Sequence, residues 1–275
     1  MLAQHESIVF PGVYDALSAL LAKRAGFELA FLSGYGMSAS HLGLPDMGFL
    51  GQSDVADVAG RVCVAAGLPL IVDADTGYGN ELNVGQTVSR LLRAGAKGCF
   101  LEDQCWPKRC GHMAGKEVVD RDEFAAKLAA AVAAKGAADF FIVARTDAVA
   151  TDGVDEALAR MRLAEEAGVD GFFIEAPPDA DTLRRIGAEA PRPLVANLIE
   201  GGKTPVLRQE ELQGLGFSLL LYPLTALYSA TKAVGASLAK LRRNGTSDPR
   251  DLASFAEFNE LIGADELLRG GGPPR

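Results

Sequence analysis

The sequence predicts an α/β fold of the TIM-barrel type, a (β/α)8 barrel with an extra C-terminal helix, and three observations carry that expectation. Eight apolar, β-rich runs alternate with Ala- and Leu-rich helical stretches across short connections. The runs are almost uniformly apolar instead of alternating, as expected of parallel strands covered on both faces. The 275 residues are 48% hydrophobic and contain no polar low-complexity linker, enough for one large core.

In order, the runs are IVFPGV (8–13), LAFLSG (29–34), LPLIVDAD (68–75), GCFLED (98–103), FFIVARTD (140–147), GFFIEA (171–176), PLVANL (193–198) and FSLLLY (217–222). Between them, stretches such as DALSALLAKRAG (15–26), DVADVAGRVCVAAG (54–67) and VDEALARMRLAEEAG (154–168) space apolar residues by three and four. Each uses good helix formers and ends on a Gly where the helix should stop. After the eighth run a helix is expected over 224–242, then the turn NGTSDP (244–249) and the amphipathic helix DLASFAEFNELIG (251–263). This last helix exceeds what barrel closure needs and is expected to pack outside the barrel, on another subunit. The domain reading is a barrel over 1–245, a C-terminal helix over 246–265 and a disordered tail over 266–275.

A formal net charge of −9 argues against nucleic acid, whose phosphates need clustered positive charge. The start MLAQHESIVF lacks the basic end, apolar core and cleavage site of a signal peptide, and no run is long enough for a membrane span. A soluble, cytoplasmic protein is expected. Its four cysteines, Cys63, Cys99, Cys105 and Cys110, read as thiols instead of a disulfide framework.

In a parallel barrel the active site forms at the C-terminal strand ends, so the polar residue closing each apolar run is the one to collect. These are Ser33, Asp73 and Asp75, Glu102 and Asp103, Arg145 and Asp147, Glu175, and Asn197. Asp73 and Asp75, two apart, should share a face, with Glu102 at matching height one strand along. Hard oxygen donors of this kind suit a divalent cation, Mg²⁺ by default and Mn²⁺ admissibly. The competing structural reading has these acids capping helices or pairing with Arg and Lys. Arg145 and Asn197 offer donors to a substrate carboxylate and to a developing negative oxygen, or else Arg145 only neutralises the acidic mouth. A zinc knuckle from Cys99, Cys105, Cys110 and His112 is disfavoured because no C-x₂-C pair exists. Cys110 is either an inert buried thiol, the usual fate of a free Cys, or a reactive acid/base or nucleophile whose pKa is lowered by Lys108, Arg109 and His112 on a loop that Gly111 keeps mobile, and the reactive reading is favoured. Cys63 and Cys99 read as core, and Cys105 as packing at the junction of strand and loop. The loops GYGN (77–80) and EGGKTP (200–205) could cradle a carboxylate or phosphate, but neither matches a nucleotide fingerprint.

These residues resemble the isocitrate lyase/phosphoenolpyruvate mutase superfamily, in particular its branch of the petal death protein and the 2,3-dimethylmalate and 2-methylisocitrate lyases. The likeness is carried by SGYGMSASHLGLPDMG (33–48), VDADTGYGN (72–80), LEDQCWPKRCGHMAGK (101–116), VARTDA (143–148), FIEAP (173–177), ANLIEGGKTP (196–205) and FAEFNELIG (255–263). The resemblance implies Asp73 as the direct metal ligand, with Asp46, Asp75 and Glu102 holding the metal's waters. It implies Ser33, Gly34 and Tyr35 at the 2-oxo-acid half of the substrate and Arg145 on its C2 oxygen. Glu175, Asn197 and Thr204 of the GGKTP loop would take the other carboxylate, beside Gly111. Cys110 would be the general acid, with His112, Arg145 and Glu102 completing the catalytic set. The final helix would be swapped within a homotetramer. The expected reaction is cleavage of a carbon–carbon bond in a 2-hydroxy di- or tricarboxylate. Its rivals are oxaloacetate hydrolysis, a phosphonopyruvate- or carboxyphosphonate-type mutase, and a non-catalytic oxo-acid binder.

Overall fold

In the computed structural model, residues 5–113 and 115–270 are described. Eight parallel strands close a barrel in sequence order: β1 Ile8–Val13, β2 Ala30–Leu32, β3 Leu70–Asp73, β4 Gly98–Glu102, β5 Phe141–Thr146, β6 Gly171–Ile174, β7 Leu194–Asn197 and β8 Phe217–Tyr222. Closure is made by β1 against β8, with Ile8 opposite Leu219 and Pro11 opposite Tyr222. The helices that follow the strands are α1 Ala16–Arg24, the short α2 Gly34–Met37 and α3 Gln52–Ala66, then α4 Glu81–Ala94 and α5 Arg121–Lys135. Next come α6 Val154–Glu166, α7 Ala180–Glu189, α8 Gln209–Gly214 and α9 Thr225–Asn244.

Strand pleating sorts the side chains into two shells and fixes where function can sit. Phe31, Ile71, Phe100, Val143, Phe173 and Val195 fill the barrel interior, with Phe100 tilted against Phe31 (centroids 4.8 Å) and Phe173 (5.6 Å). Their strand neighbours Leu32, Val72, Leu101, Ala144, Ile174 and Ala196 belong to the outer core beneath the helices. Because the side-chain period is two, the residue two beyond each interior residue also faces the barrel axis, one layer higher. Those residues are Ser33, Asp73, Glu102, Arg145, Glu175 and Asn197. The uniform apolarity of the runs thus has two origins, a barrel core inside and a helix layer outside.

Helix caps come from other residues. Asp15, Asn80, Asp120 and Asp179 accept from the first-turn amides of α1, α4, α5 and α7, so the strand-end acids are released from capping. The exception among the collected residues is Ser33, whose Oγ accepts from Gly36 N (3.1 Å) at the start of α2. Residues Ser38–Leu42 continue α2 as a π-helical turn.

Beyond the barrel, α9 buries none of its residues. The stretch expected as one helix over 251–263 is shorter, α10 Phe255–Leu261, because Ser254 caps it with Glu257 in a reciprocal box. Gly263, in the left-handed region, ends that turn and starts α11 Ala264–Leu268. Residues 266–268, expected in the disordered tail, are therefore helical, and the expectation for 271–275 lies outside the described residues.

Candidate active site

The strand-end residues converge on one small cavity of about 40 Å³ at the C-terminal mouth of the barrel. Ser33, Tyr35, Asp46 and Asp73 line one wall, and Arg145, Glu175 and Asn197 the opposite one. Cys110, Gly111 and His112 form the roof. Of the other expected site residues, Gly34 places its backbone N–H 3.3 Å from Asp73 Oδ2. Asp75, Glu102 and Thr204 are buried around the cavity without lining it.

Asp73 ends β3, but Asp75 does not share a strand face with it as strand alternation predicts. The chain turns after Asp73, and Asp75 sits in the left-handed region (φ 47°). A Cβ on Gly34 would lie 2.8 Å from Asp73 Oδ2 and 3.5 Å from Asp75 Oδ1, so both carboxylates still face α2 and only glycine fits there. Glu102 is level with Asp75, since its N–H donates to the Asp75 carbonyl (2.9 Å).

Asp46, Asp73, Asp75 and Glu102 bring four carboxylates to one side of the cavity, and Lys108 is the ammonium placed among them. Its Nζ lies 2.6 Å from Asp46 Oδ1 and 2.7 Å from Asp75 Oδ1. The second contact is an ion pair by distance only, because Asp75 Oδ1 and both oxygens of Glu102 have no hydrogen-bond donor. Burial pushes the Asp75 carboxyl up to about 7; Lys108 opposes this, while Asp73 and Asp46 add to it. Burial likewise holds Glu102 well above the usual range, against Arg145 and Lys108. Four carboxylates outnumber the two cations that reach them, Lys108 and Arg145, and the excess negative charge is what a hydrated divalent cation would neutralise, so the residues fit the expected metal. Among the described residues no three Asp, Glu, His or Cys side chains already form a metal-ligand cluster.

Arg145 is fixed from three sides. Nη1 is 3.2 Å from Glu102 Oε2, Nε donates to Asp147 Oδ2 (2.9 Å) and Nη2 is 3.3 Å from Glu175 Oε2. Its guanidinium also lies 5.4 Å over the Phe173 ring. Burial alone would raise the Glu175 carboxyl, but Arg145 and His112 outweigh it and hold it at about 2. Asn197 Nδ2 donates to Glu175 Oε2 (3.1 Å). Thr204 is buried with its hydroxyl unpartnered.

The roof is the segment after β4. An isolated antiparallel bridge between Gln104 and Val118 closes its base, and Gln104 clasps the Arg109 backbone through both amide atoms (2.8 and 3.0 Å). Cys110 N–H donates to the Asp46 carbonyl (3.2 Å), joining the roof to the LGLPD loop. The imidazole of His112 bridges to the GGKTP loop, where Lys203 N–H donates to Nδ1 (2.9 Å). Its Nε2 lies 3.2 Å from Glu175 Oε1. A Cβ on Gly111 would fall 2.4 Å from Glu175 Cγ and 2.5 Å from Arg145 Nη2. Gly111→Ala should therefore hold the roof off the barrel and lower kcat/KM by about 100-fold; wild-type turnover by this variant would show that the closed roof is not needed.

One sequence expectation is overturned. Burial pushes the Cys110 thiol up to about 11, the His112 backbone N–H lowers it, and Glu175 and Asp46 add to the rise. Lys108, expected to depress it, is turned away onto Asp46 and Asp75. Cys110 is thus a retained proton, not a thiolate. Cys99 is buried, Cys63 and Cys105 pack half-buried against the outer core, and all four thiols are free. Sequence reasoning missed Tyr228 of α9, whose phenol is raised by burial and then by the neighbouring Tyr35 and Cys110. It also assigned nothing to Lys116.

The sequence model of the phosphoenolpyruvate phosphomutase family matches residues 1–242. The chain is 48% identical to a chloroplastic carboxyvinyl-carboxyphosphonate phosphorylmutase of Arabidopsis thaliana (96% of this chain, 80% of the relative). It is 48% identical to the petal death protein of Dianthus caryophyllus (95% and 83%) and 42% identical to 2,3-dimethylmalate lyase of Eubacterium barkeri (97% and 93%). Among solved structures, 2,3-dimethylmalate lyase superposes with a TM-score of 0.92 at 35% identity (98% of this chain, 91% of that one). Oxaloacetate acetylhydrolase with 3,3-difluorooxalacetate gives 0.92 at 36% (98% and 95%). Phosphonopyruvate hydrolase with oxalate and Mg²⁺ gives 0.84 at 32% (96% and 92%).

Proposed function

The chain belongs to the phosphoenolpyruvate mutase/isocitrate lyase superfamily and is an enzyme of it. From that premise we propose that it is a Mg²⁺-dependent carbon–carbon lyase. Its substrate would be a 2-hydroxy di- or tricarboxylate of the 2-alkylmalate, 2,3-dimethylmalate or 2-methylisocitrate type, and its products a 2-oxo acid such as pyruvate and a second carboxylate. The observation that carries this reading is the position of the Cys110 thiol, pushed up to about 11 by burial, in the roof of the cavity whose walls hold the carboxylate cluster and Arg145.

Asp73, with Asp46, Asp75 and Glu102 through water, would hold a divalent cation that makes the substrate hydroxyl more acidic, and the Glu102 carboxylate would take the proton that hydroxyl loses. Mn²⁺ would serve in place of Mg²⁺. The α2 N-terminus, with Ser33, Gly34 and Tyr35, receives the half that becomes the 2-oxo acid. Arg145 holds the C2 oxygen, its fork kept in place by Glu102, Asp147 and Glu175. Asn197, Thr204 and the GGKTP loop, tied to His112 of the roof, would bind the distal carboxylate through their donors, with Gly111 above and Glu175 holding the Asn197 amide in place. Cys110 then protonates the enolate carbon released by bond cleavage, and the roof excludes the water that would otherwise do so.

Cys110, Gly111 and His112 lie over the cavity, so substrate entry would require the roof to open. A panel of 2-methylisocitrate, 2,3-dimethylmalate, 2-ethyl-3-methylmalate, isocitrate, oxaloacetate and phosphonopyruvate, followed by the product acids, tests the reading. Pyruvate or glyoxylate from a hydroxy acid is expected. Oxalate from oxaloacetate alone would select the hydrolase reading, which the likeness to oxaloacetate acetylhydrolase favours as the alternative.

Assembly as a homotetramer with exchanged C-terminal helices belongs to the same proposal. Unburied α9 and the exposed Phe255 and Leu268 (each 86%) are surfaces that a second copy would cover. A sedimentation mass of one chain in dilute solution would refute it. Division into a barrel (1–245) and an exchanged arm (246–265), and a cytoplasmic location, complete the proposal. Among the described residues no helix is long and apolar enough to cross a membrane.

A further inference from the structure

Lys116 follows Cys110 by six residues and leaves the roof pointing inward. Its Nζ donates to the Gly111 carbonyl and to Asp147 Oδ1, both at 2.6 Å. The side chains of this pair are 1% and 0% exposed. Asp147 is itself immobilised from the barrel side. It accepts from Arg145 Nε (2.9 Å) and Nη2 (3.2 Å), and its N–H donates to Asp103 Oδ1 (2.9 Å). Asp103 in turn accepts from Thr146 Oγ1 (2.5 Å) and from Arg160 Nη1 of α6 (3.1 Å). A chain of polar contacts therefore runs from the helix layer to the residue next to Cys110.

The chemistry of the pair explains why a lysine stands here. A buried ammonium is stable only with its protons satisfied, and this one finds an anion and a carbonyl within reach of one nitrogen. Both acceptors are met together only with the roof closed, because Gly111 belongs to the roof and Asp147 to the barrel. Opening that carried Gly111 away from Asp147 would break one of these two contacts, so together they favour closure and set its geometry. The same Asp147 carboxylate orients Arg145, so one anion fixes both the general acid's loop and the residue on the C2 oxygen.

We propose that Lys116 is a positioning residue, a buried staple that holds the roof closed by joining Gly111 to Asp147 and thereby sets Cys110 over the cavity in register with Arg145. The proposal rests on the lyase reading only for its activity readout. Its primary test needs neither substrate nor metal. In Lys116→Met, alkylation of Cys110 by iodoacetamide, followed by mass spectrometry of its peptide, should quicken about 10-fold as the closed state loses population. Cys63, in α3 and remote from the roof, should react at the wild-type rate, which separates roof opening from general unfolding. With whichever acid is cleaved, kcat/KM should fall about 100-fold. An unchanged Cys110 rate in the folded variant overturns the proposal. Should the variant fail to fold, trypsin digestion of the wild type decides. Cleavage after Lys116 should be slower than at exposed lysines such as Lys203, because it must wait for the roof to open, and cleavage as rapid as at Lys203 overturns the staple. Roof opening in Lys116→Met combined with no cleavage of any acid by the wild type would uphold the staple and reject the lyase reading.

Discussion

Cys110→Ala is expected to lower kcat for hydroxy-acid cleavage by about 10²- to 10⁴-fold, the usual contribution of a positioned general acid. The thiol lies in the roof with its N–H tied to the Asp46 carbonyl, so a smaller side chain leaves the loop's anchors in place. Its effect should fall on kcat more than on KM, because alanine removes a proton and not a binding contact. Burial sets the sign of the pH dependence. A thiol raised to about 11 keeps its proton across pH 7 to 10, and the protonated fraction falls only as pH approaches that value. Wild-type kcat should show no loss attributable to this thiol near pH 8 or 9, whereas a thiolate nucleophile would gain activity there. Full cleavage by Cys110→Ala, measured as pyruvate release, would reject the assignment.

Asp73→Ala, or removal of divalent cation from the wild type with a chelator, is expected to reduce turnover by about 1,000-fold or more. The figure follows from several kcal/mol of charge stabilisation at about 1.4 kcal/mol per tenfold. Asp73 lies at the end of β3 against the Gly34 N–H (3.3 Å), with Asp75 N–H 3.4 Å from its other oxygen. Adding Mg²⁺ back should restore the chelated wild type and leave Asp73→Ala inactive. Calorimetric titration should show Mg²⁺ binding to the wild type that the variant lacks. Undiminished turnover after exhaustive chelation would eliminate the metal-based reading.

The strand-end residues were legible because pleating obeys parity. Once Phe100 is placed in the barrel, Glu102 must point the same way, and likewise Arg145 after Val143 and Glu175 after Phe173. The motif resemblance added Asp46, which lies on no strand and had no periodicity to reveal it. What remained hidden depends on where a loop folds back. Lys108 stands two residues before Cys110, and proximity in sequence suggested an effect on the thiol; in space its ammonium enters the carboxylate cluster. Burial then decided the direction of the Cys110 shift, a quantity no local spacing encodes. Lys116 and Asp147 are 31 positions apart, and only the closed roof brings them together. Asp147 did carry a signal, as a second acid closing the fifth run, but its partner could not be inferred from composition. Tyr228 sits on α9 after the last strand, outside the strand-end pattern.

On the proposed mechanism the barrel would cleave a carbon–carbon bond, with Cys110 delivering the final proton. Turnover of the best hydroxy-acid substrate in D₂O with Mg²⁺, followed by mass spectrometry of both products, tests it directly. One 2-oxo acid per substrate consumed is expected, with one solvent-derived deuterium, in a single configuration, on the carbon freed in the second carboxylate. Absence of cleavage across the hydroxy-acid panel, or a product deuterated without stereochemical preference by the wild-type enzyme, would contradict it.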